Sequence, residues 1–365
     1  MSRIHLLKIL DLWLGTALVF LLPKPLLPPP CPLPPQSILL IRPGGIGDAV
    51  HLLPAIQALQ KSFPEIAIDI LAERRNAGVF AMCPGIRRNF QYDRPGQLLQ
   101  ALHGRYDVVI DTEQWHQLSA VVTRLVRAPV KIGFATNKRR RLFTHTISYC
   151  QDDYEIRSFL SLLEPLGVPA DEVVAESWLH IPEDVCESVV SLLPQSNHQP
   201  IVAIFAGASI AEKRWGVDRF RSVAEWCLDR RLQVVLIGGE GDRPDAERIA
   251  SGLEIVNLTG RTSLVQTAAI IEKVAMVVSG DSGVLHIAAG LGRPTVALFG
   301  PSSIDKWAPR GPQHVALSKC LSCSPCSRFG YTSSCPNSGW CMSDIAVTDV
   351  ARAIATLLDL PDGRG

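Results

Sequence analysis

The chain has 365 residues, 47% of them apolar and 19% charged, with a formal net charge of +1. That length suits two domains with a sizeable core, and the composition excludes global disorder. A nearly neutral chain lacks the basic excess of a general nucleic-acid binder, so no nucleic-acid partner is expected. Ten cysteines are too few for a disulfide scaffold at this length and fit a reducing compartment.

The first element is apolar. Residues 4–22, IHLLKILDLWLGTALVFLL, nevertheless carry His5, Lys8 and Asp11. A membrane span needs roughly 20 residues with few charges, so this run is borderline. Leu6, Leu7, Ile9, Leu10, Trp13, Leu14 and Leu18 can share one broad helical face with Lys8 and Asp11 off it, which suits an interfacial helix. A true span and docking on the protein's own surface remain open. No small-x-small site follows, which argues against a cleaved signal peptide. PKPLLPPPCPLPPQ excludes helix and central strand and forms a stiff tether, so residues 1–36 are read as apolar helix plus tether.

From residue 37 the pattern alternates strand, turn and helix. SILLI, IAIDILA (66–72), YDVVID (106–111) and VKIGFA (130–135) read as strands, and 48–61 and 114–127 as helices. DDYEIRSFLSLLEPLG is amphipathic and ends at Gly167. The second half repeats the scheme. PIVAIFA, LQVVLIGG, LEIVNLTG, VAMVVSGDSG and RPTVALFGP read as strands, with helices over 217–230 and 263–272. The expected class is α/β: two Rossmann-like domains with parallel sheets, 37–185 and 198–345, joined within 180–199. A final helix over 346–359, in a tail of 346–365, is expected to pack back across the first domain.

Ligands of open parallel sheets bind outside the carboxyl ends of the strands, so the turns after strands are where chemistry is sought. The first turn, PGGIGDAV, only partly matches a dinucleotide fingerprint. Gly44, Gly45 and Gly47 are present, but Val50 stands where a third glycine permits close helix packing, and Asp69 is a poor ribose acid. Asp48 opens the next helix, and spacing alone supports both a helix cap and a catalytic carboxylate. The second half reads as the anion binder. GASIAEKRWG places Ser209 and Lys213 in one loop after a strand. SGDSGVLHIAAG places Asp281, Ser282 and Gly283 at a helix start, with His286 one turn on, and FGPSS supplies a third loop. A hydroxyl, an ammonium and free backbone N–H groups make a diphosphate cradle. His286 in this pattern is more simply a packed helical histidine.

IRPGGIGDAVHLLPAI, FAGASIAEKRW, VVSGDSGVLHIAAGLGRPTVALFGP and the late cysteine cluster together resemble the ADP-heptose–lipopolysaccharide heptosyltransferases, glycosyltransferase family 9, over residues 37–357. The resemblance implies the GT-B fold, two facing Rossmann-like domains, and an inverting glycosyltransferase that needs no cofactor or metal. The implied donor is ADP-heptose, the acceptor an anionic glycolipid of the lipopolysaccharide core, and the place of work the cytoplasmic face of the inner membrane. By motif, Asp48 matches the general base, Lys213 and Ser209 the donor diphosphate contacts, and Asp281, Ser282 and Gly283 the donor loop. Asp242 or Glu240 of GGEGDR stands where a ribose-binding glutamate is common. DTEQWHQLSAVVTRL departs from the more usual DLQG, which leaves the acceptor and the donor sugar open.

The basic run Lys138, Arg139, Arg140 and Arg141 is read as a patch for an anionic acceptor, against the blander reading of a solvated loop. CLSCSPCSRFGYTSSCPNSGWCM contains two overlapping C-x-x-C spacings. Cys323, Cys326, Cys335 and Cys341 are candidate structural metal ligands, although C-x5-C is not a regular ribbon spacing, and free or redox-active thiols fit better. The competing function classes are a redox enzyme using a nicotinamide cofactor, which lacks its full glycine fingerprint, and a non-catalytic nucleotide-binding protein of envelope assembly. A nucleotide-sugar epimerase shares the plan but matches the motifs less well.

Overall fold

Runs of branched and aliphatic residues form strands buried on both faces, as parallel sheets require. The computed structural model describes residues 11–25, 30–170, 176–194, 199–332, 334–337 and 339–360. The chain divides into two units, Met1–Ala175 and Glu176–Gly365. In the first, β1 (Ser37–Arg42), β2 (Ala67–Ala72), β3 (Ile86–Gln91), β4 (Val108–Asp111), β5 (Val130–Phe134) and β6 (His145–Ile147) are ordered β3-β2-β1-β4-β5-β6. In the second, β7 (Ile201–Phe205), β8 (Gln233–Leu236), β9 (Val256–Asn257), β10 (Met276–Gly280), β11 (Thr295–Leu298) and β12 (His314–Leu317) are ordered β12-β11-β10-β7-β8-β9. All pairings in both sheets are parallel.

Counted from each unit's own first strand, both orders are 3-2-1-4-5-6. The strand order therefore reverses between β1 and β4, and again between β7 and β10. Ligand-binding crevices of open α/β sheets open at such points. Within these two sheets, three strands escaped the sequence reading: β3, β6 and β12. All three are sheet edges. Half-exposed edges carry polar residues, such as Arg87 and Arg88 in β3, and lose the apolar run that marks a central strand.

Buried charge within β2 is resolved locally. Asp69 is 1% exposed and accepts from Arg87 Nε and Nη2, both at 2.8 Å, and from Tyr106 Oη at 3.0 Å. Its carboxylate is thus engaged within the sheet by Arg87 and Tyr106.

One expectation is corrected. The expected N-terminal apolar helix is not supported among the described residues. Among the described residues the apolar run is a five-residue π turn, Asp11–Gly15, followed by the short helix Thr16–Leu21, and none of the helices is long and apolar enough to cross a membrane. Residues 4–10 of that run lie outside the described residues. The segment docks on its own unit because Asp11 is satisfied there. Its carboxylate accepts from the backbone N–H of Gln117 and Leu118 at 2.8–3.0 Å, at the start of the helix Gln117–Leu125, where an anion is favoured. Val19, 0% exposed, packs with Ala120, Val121, Leu142 and Phe143. At the other end, the helix Val347–Leu357 packs on the helix Val217–Asp229 and on β11 and β12 of the second unit.

The division at residue 175 lies ahead of the 180–199 stretch. Trp178 and Leu179 N–H both donate to the Gly290 carbonyl, at 2.8 and 3.0 Å, and the helix Glu183–Ser188 packs on Leu264–Lys273. A Cβ on Gly290 would lie 2.7 Å from Leu179 Cδ1, so this contact needs glycine.

Candidate active site

At the reversal point of the first unit, the turn after β1 and the loop after β4 meet. The turn passes through Gly44 at φ +102°, a conformation open to glycine. Asn76, fully buried, donates to the carbonyls of Arg42 and Gly44 and pins the turn. Gly45 caps the helix Ile46–Ser62, and Asp48 lies in its first turn, half-buried. A Cβ on Gly45 would lie 2.8 Å from Asp48 Oδ2, so the missing side chain is what lets the carboxylate sit there. Gln114 Nε2 lies 3.4 Å from Asp48 Oδ1.

Gln114 belongs to a buried polar set that the sequence reading missed. Its Nε2 also donates to Glu155 Oε1 at 2.5 Å, and Tyr149 Oη donates to Glu155 Oε2 at 3.0 Å. Arg42, 1% exposed, donates to Glu113 Oε2 at 3.0 Å and to the Thr112 carbonyl at 2.8 Å. Burial opposes the ionisation of Glu113, but Arg42 beside it holds the carboxyl below its usual range. The only sequence sign of this set was the unusual TEQ after β4. Its partners come from residues 42, 149 and 155, far apart in the chain.

The basic run is not one patch. Arg139 is 0% exposed, donates to the Glu113 carbonyl, and pairs with fully buried Asp111 at 2.6 Å. Burial pushes the Asp111 carboxyl up, against the pull of Arg139. Lys138 and Arg140 remain exposed, and Arg141 is half-buried with its guanidinium over Phe20. A run of four cations cannot all be solvated here because the 3₁₀ turn Lys138–Leu142 turns one of them inward.

At the reversal point of the second unit, the loops after β7 and β10 come together. Lys213 Nζ lies 2.5 Å from Asp281 Oδ2, and His286 Nε2 lies 3.5 Å from Asp281 Oδ1. Burial works against the Asp281 charge, but Lys213 and His286 together hold its carboxyl well below the usual carboxylate range. Ser282 accepts from Leu285 N–H at 3.2 Å and caps the helix Gly283–Gly290; its hydroxyl also meets Ser279 Oγ at 2.8 Å. His286 is 3% exposed, packed near Trp307 as well as Asp281. Ser209 is exposed in the β7 loop. Asp242 accepts from Gly239 N–H at 3.0 Å, and its Oδ1 occupies the space a Gly207 side chain would fill. Asp242 thus borders the same loop as Ser209 and Lys213, whereas Glu240 pairs with Arg243 at 2.6 Å.

Among the described residues no group of three or more His, Cys, Asp or Glu is arranged to hold a metal ion. Cys341 is in the apolar core with Trp215 and Ile354, beneath Gly300. Burial, then the neighbouring thiols, push Cys326 and Cys341 up.

Known proteins resemble this chain in sequence and in fold. The sequence model of "Glycosyltransferase family 9 (heptosyltransferase)" matches residues 96–335. Lipooligosaccharide heptosyltransferase 2 of Haemophilus ducreyi is 26% identical over 308 residues, covering 77% of this chain and 88% of its own. Two solved structures share the fold. One is the glycosyl transferase family 9 protein of Veillonella parvula, with TM-score 0.76, 20% identity, and 88% and 97% of the two chains covered. The other is ADP-heptose lps heptosyltransferase II of Escherichia coli, with TM-score 0.74, 23% identity, and 88% and 98% covered.

Proposed function

Since the chain belongs to glycosyltransferase family 9, the heptosyltransferases, we propose that this glycosyltransferase moves heptose, or a closely related sugar, from an ADP-activated donor to an anionic glycolipid of the lipopolysaccharide core. The relatives are named for lipooligosaccharide and lipopolysaccharide heptosyl transfer, and one structural neighbour for ADP-heptose. The site of work is the cytoplasmic membrane surface where such an acceptor is embedded.

A sugar hydroxyl is a weak nucleophile and needs a base as the bond forms. Asp48 takes that proton. It is a carboxylate at the reversal point of its sheet, held by Gln114. The leaving ADP gains negative charge. Lys213, the exposed hydroxyl of Ser209 and the N–H groups opening the helix at Gly283 meet that charge. Asp281 orients Lys213 and, as a carboxylate kept ionised, accepts from hydroxyls of the donor sugar; His286 orients Asp281. Asp242 serves the nucleotide ribose. The observation that carries the reading is that both sets stand at the strand-order reversal of their own sheets.

The test is transfer from ADP-heptose to truncated lipopolysaccharide cores, read by mass spectrometry, beside thermal shifts with ADP, UDP and NAD. Product of the added heptose mass and selective stabilisation by ADP support the proposal. Selective stabilisation by NAD, or full transfer by Asp48→Asn, sinks it.

A further inference from the structure

The docked segment near the N-terminus buries little of its apolar surface. Leu12, Trp13, Leu14, Phe20 and Leu21 are 61%, 74%, 50%, 49% and 78% exposed. Val19 and the Asp11 carboxylate hold the segment on the helix Gln117–Leu125, so these side chains stand on a fixed platform and not on a loose arm. A short apolar cluster with no role in the core needs a cover. The charges beside it are basic. Lys138 Nζ lies 4.9 Å from the centroid of the Phe20 ring and the Arg141 guanidinium 5.4 Å from it. Arg141 donates to the Leu22 carbonyl, Arg124 to the Pro23 carbonyl, and Lys138, Arg140 and Lys24 are exposed. Arginine and lysine carbon stems lying along aromatic rings, with their charges at the rim, suit an apolar–water boundary of negative charge.

We propose that this face, Leu12, Trp13, Phe20 and Leu21 with Lys138 and Arg140, is a docking surface for an anionic lipid bilayer. The apolar side chains enter the headgroup–acyl boundary and the cations meet lipid phosphates. The first unit thereby rests on the membrane surface. The inference rests on the glycolipid reading of the acceptor, because a membrane-embedded acceptor is reached most readily by an enzyme held at the surface. It also gives the exposed half of the basic run a role: Lys138 and Arg140 face lipid, while Arg139 is spent inside the unit.

The test is co-sedimentation of the full chain with vesicles of phosphatidylethanolamine containing about one-third phosphatidylglycerol, against vesicles of phosphatidylcholine alone. The parent binds the anionic vesicles and falls off at about 0.5 M salt, where the Debye length is only a few ångströms. Leu12→Glu/Trp13→Glu and, separately, Lys138→Glu/Arg140→Glu each weaken binding by about tenfold or more. All four positions are exposed, and a thermal melt confirms that each variant is folded. Leu12→Glu/Trp13→Glu transfers normally to a delipidated, water-soluble core acceptor but poorly to acceptor in vesicles. Three results overturn the proposal: no vesicle binding by the parent, variants that bind as the parent does, or a dimer in sedimentation velocity that Trp13→Glu abolishes, which would make a second copy the cover. Vesicle binding without transfer to any core acceptor would leave the docking surface standing and remove the substrate reading instead.

Discussion

Replacing Arg139 by methionine should unfold the first unit at a much lower temperature than its place in a basic run suggests. Arg139 and Asp111 are both 0% exposed and 2.6 Å apart, and Arg139 also donates to the Glu113 carbonyl and to Ser119 Oγ at 3.2 Å. Methionine keeps much of the volume but leaves Asp111 buried without its cation. Removing one partner of a buried pair costs about 3–5 kcal/mol. At about 2–4 °C per kcal/mol for a unit of this length, the midpoint drops by roughly 6–20 °C. Lys138→Met, one residue away and exposed, should move stability by no more than about 0.5 kcal/mol. Asp111→Asn added to Arg139→Met removes the stranded charge and recovers part of the loss. The pH dependence has a definite sign. In Arg139→Met only the Glu113 N–H still offsets the burial that pushes Asp111 up, so the folded state keeps a proton that the unfolded chain has released. Stability of the variant therefore falls as pH rises from the ordinary aspartate range through the raised value, and its deficit is smaller at about pH 5 than at about pH 8. Differential scanning fluorimetry and urea titration at both pH values measure this. If Arg139→Met melted like Lys138→Met, or its deficit grew toward acid, the buried-pair reasoning would be wrong.

Four further outcomes are expected. Asp48→Asn should lower kcat about 10²–10⁴-fold while ADP still raises the melting temperature; an unchanged kcat would remove the base assignment. Gly45→Ala sets a Cβ against Asp48 Oδ2, and the displaced carboxylate should cost up to about 10²-fold in kcat with donor KM unchanged, read by steady-state kinetics. Gln114→Leu removes the N–H shared by Asp48 and Glu155 and should lower kcat more than it raises donor KM; Gln114→Asn, a shorter amide, should not restore it, whereas a purely structural role would show only in the melt. Lys213→Ala should weaken ADP binding by roughly tenfold or more, the worth of one charge-assisted contact, as seen by calorimetry. It also strands Asp281. In the parent, that residue's depressed pKa contributes stability above the unfolded aspartate value, lost as pH falls through the folded one; in Lys213→Ala much of that contribution is missing at neutral pH.

The amino-acid sequence by itself determined the central strands, their repeated order in two halves, and the turns that carry Asp48, Lys213 and Asp281. These signals are local: an apolar run buried on both faces, a glycine that turns the chain, a polar residue at a helix start. Packing decided the rest, because the deciding contacts join residues distant in the chain. Arg139 reads as a solvated cation until β4 brings Asp111 beneath it. Gln114 becomes part of the candidate site only where residues 42, 48 and 155 converge on it. Asp11 reads as a flaw in an apolar run until the N–H groups of Gln117 and Leu118 meet its carboxylate. Desolvation is the common reason. A charge's cost or use depends on what replaces its water, and only the tertiary structure supplies that replacement.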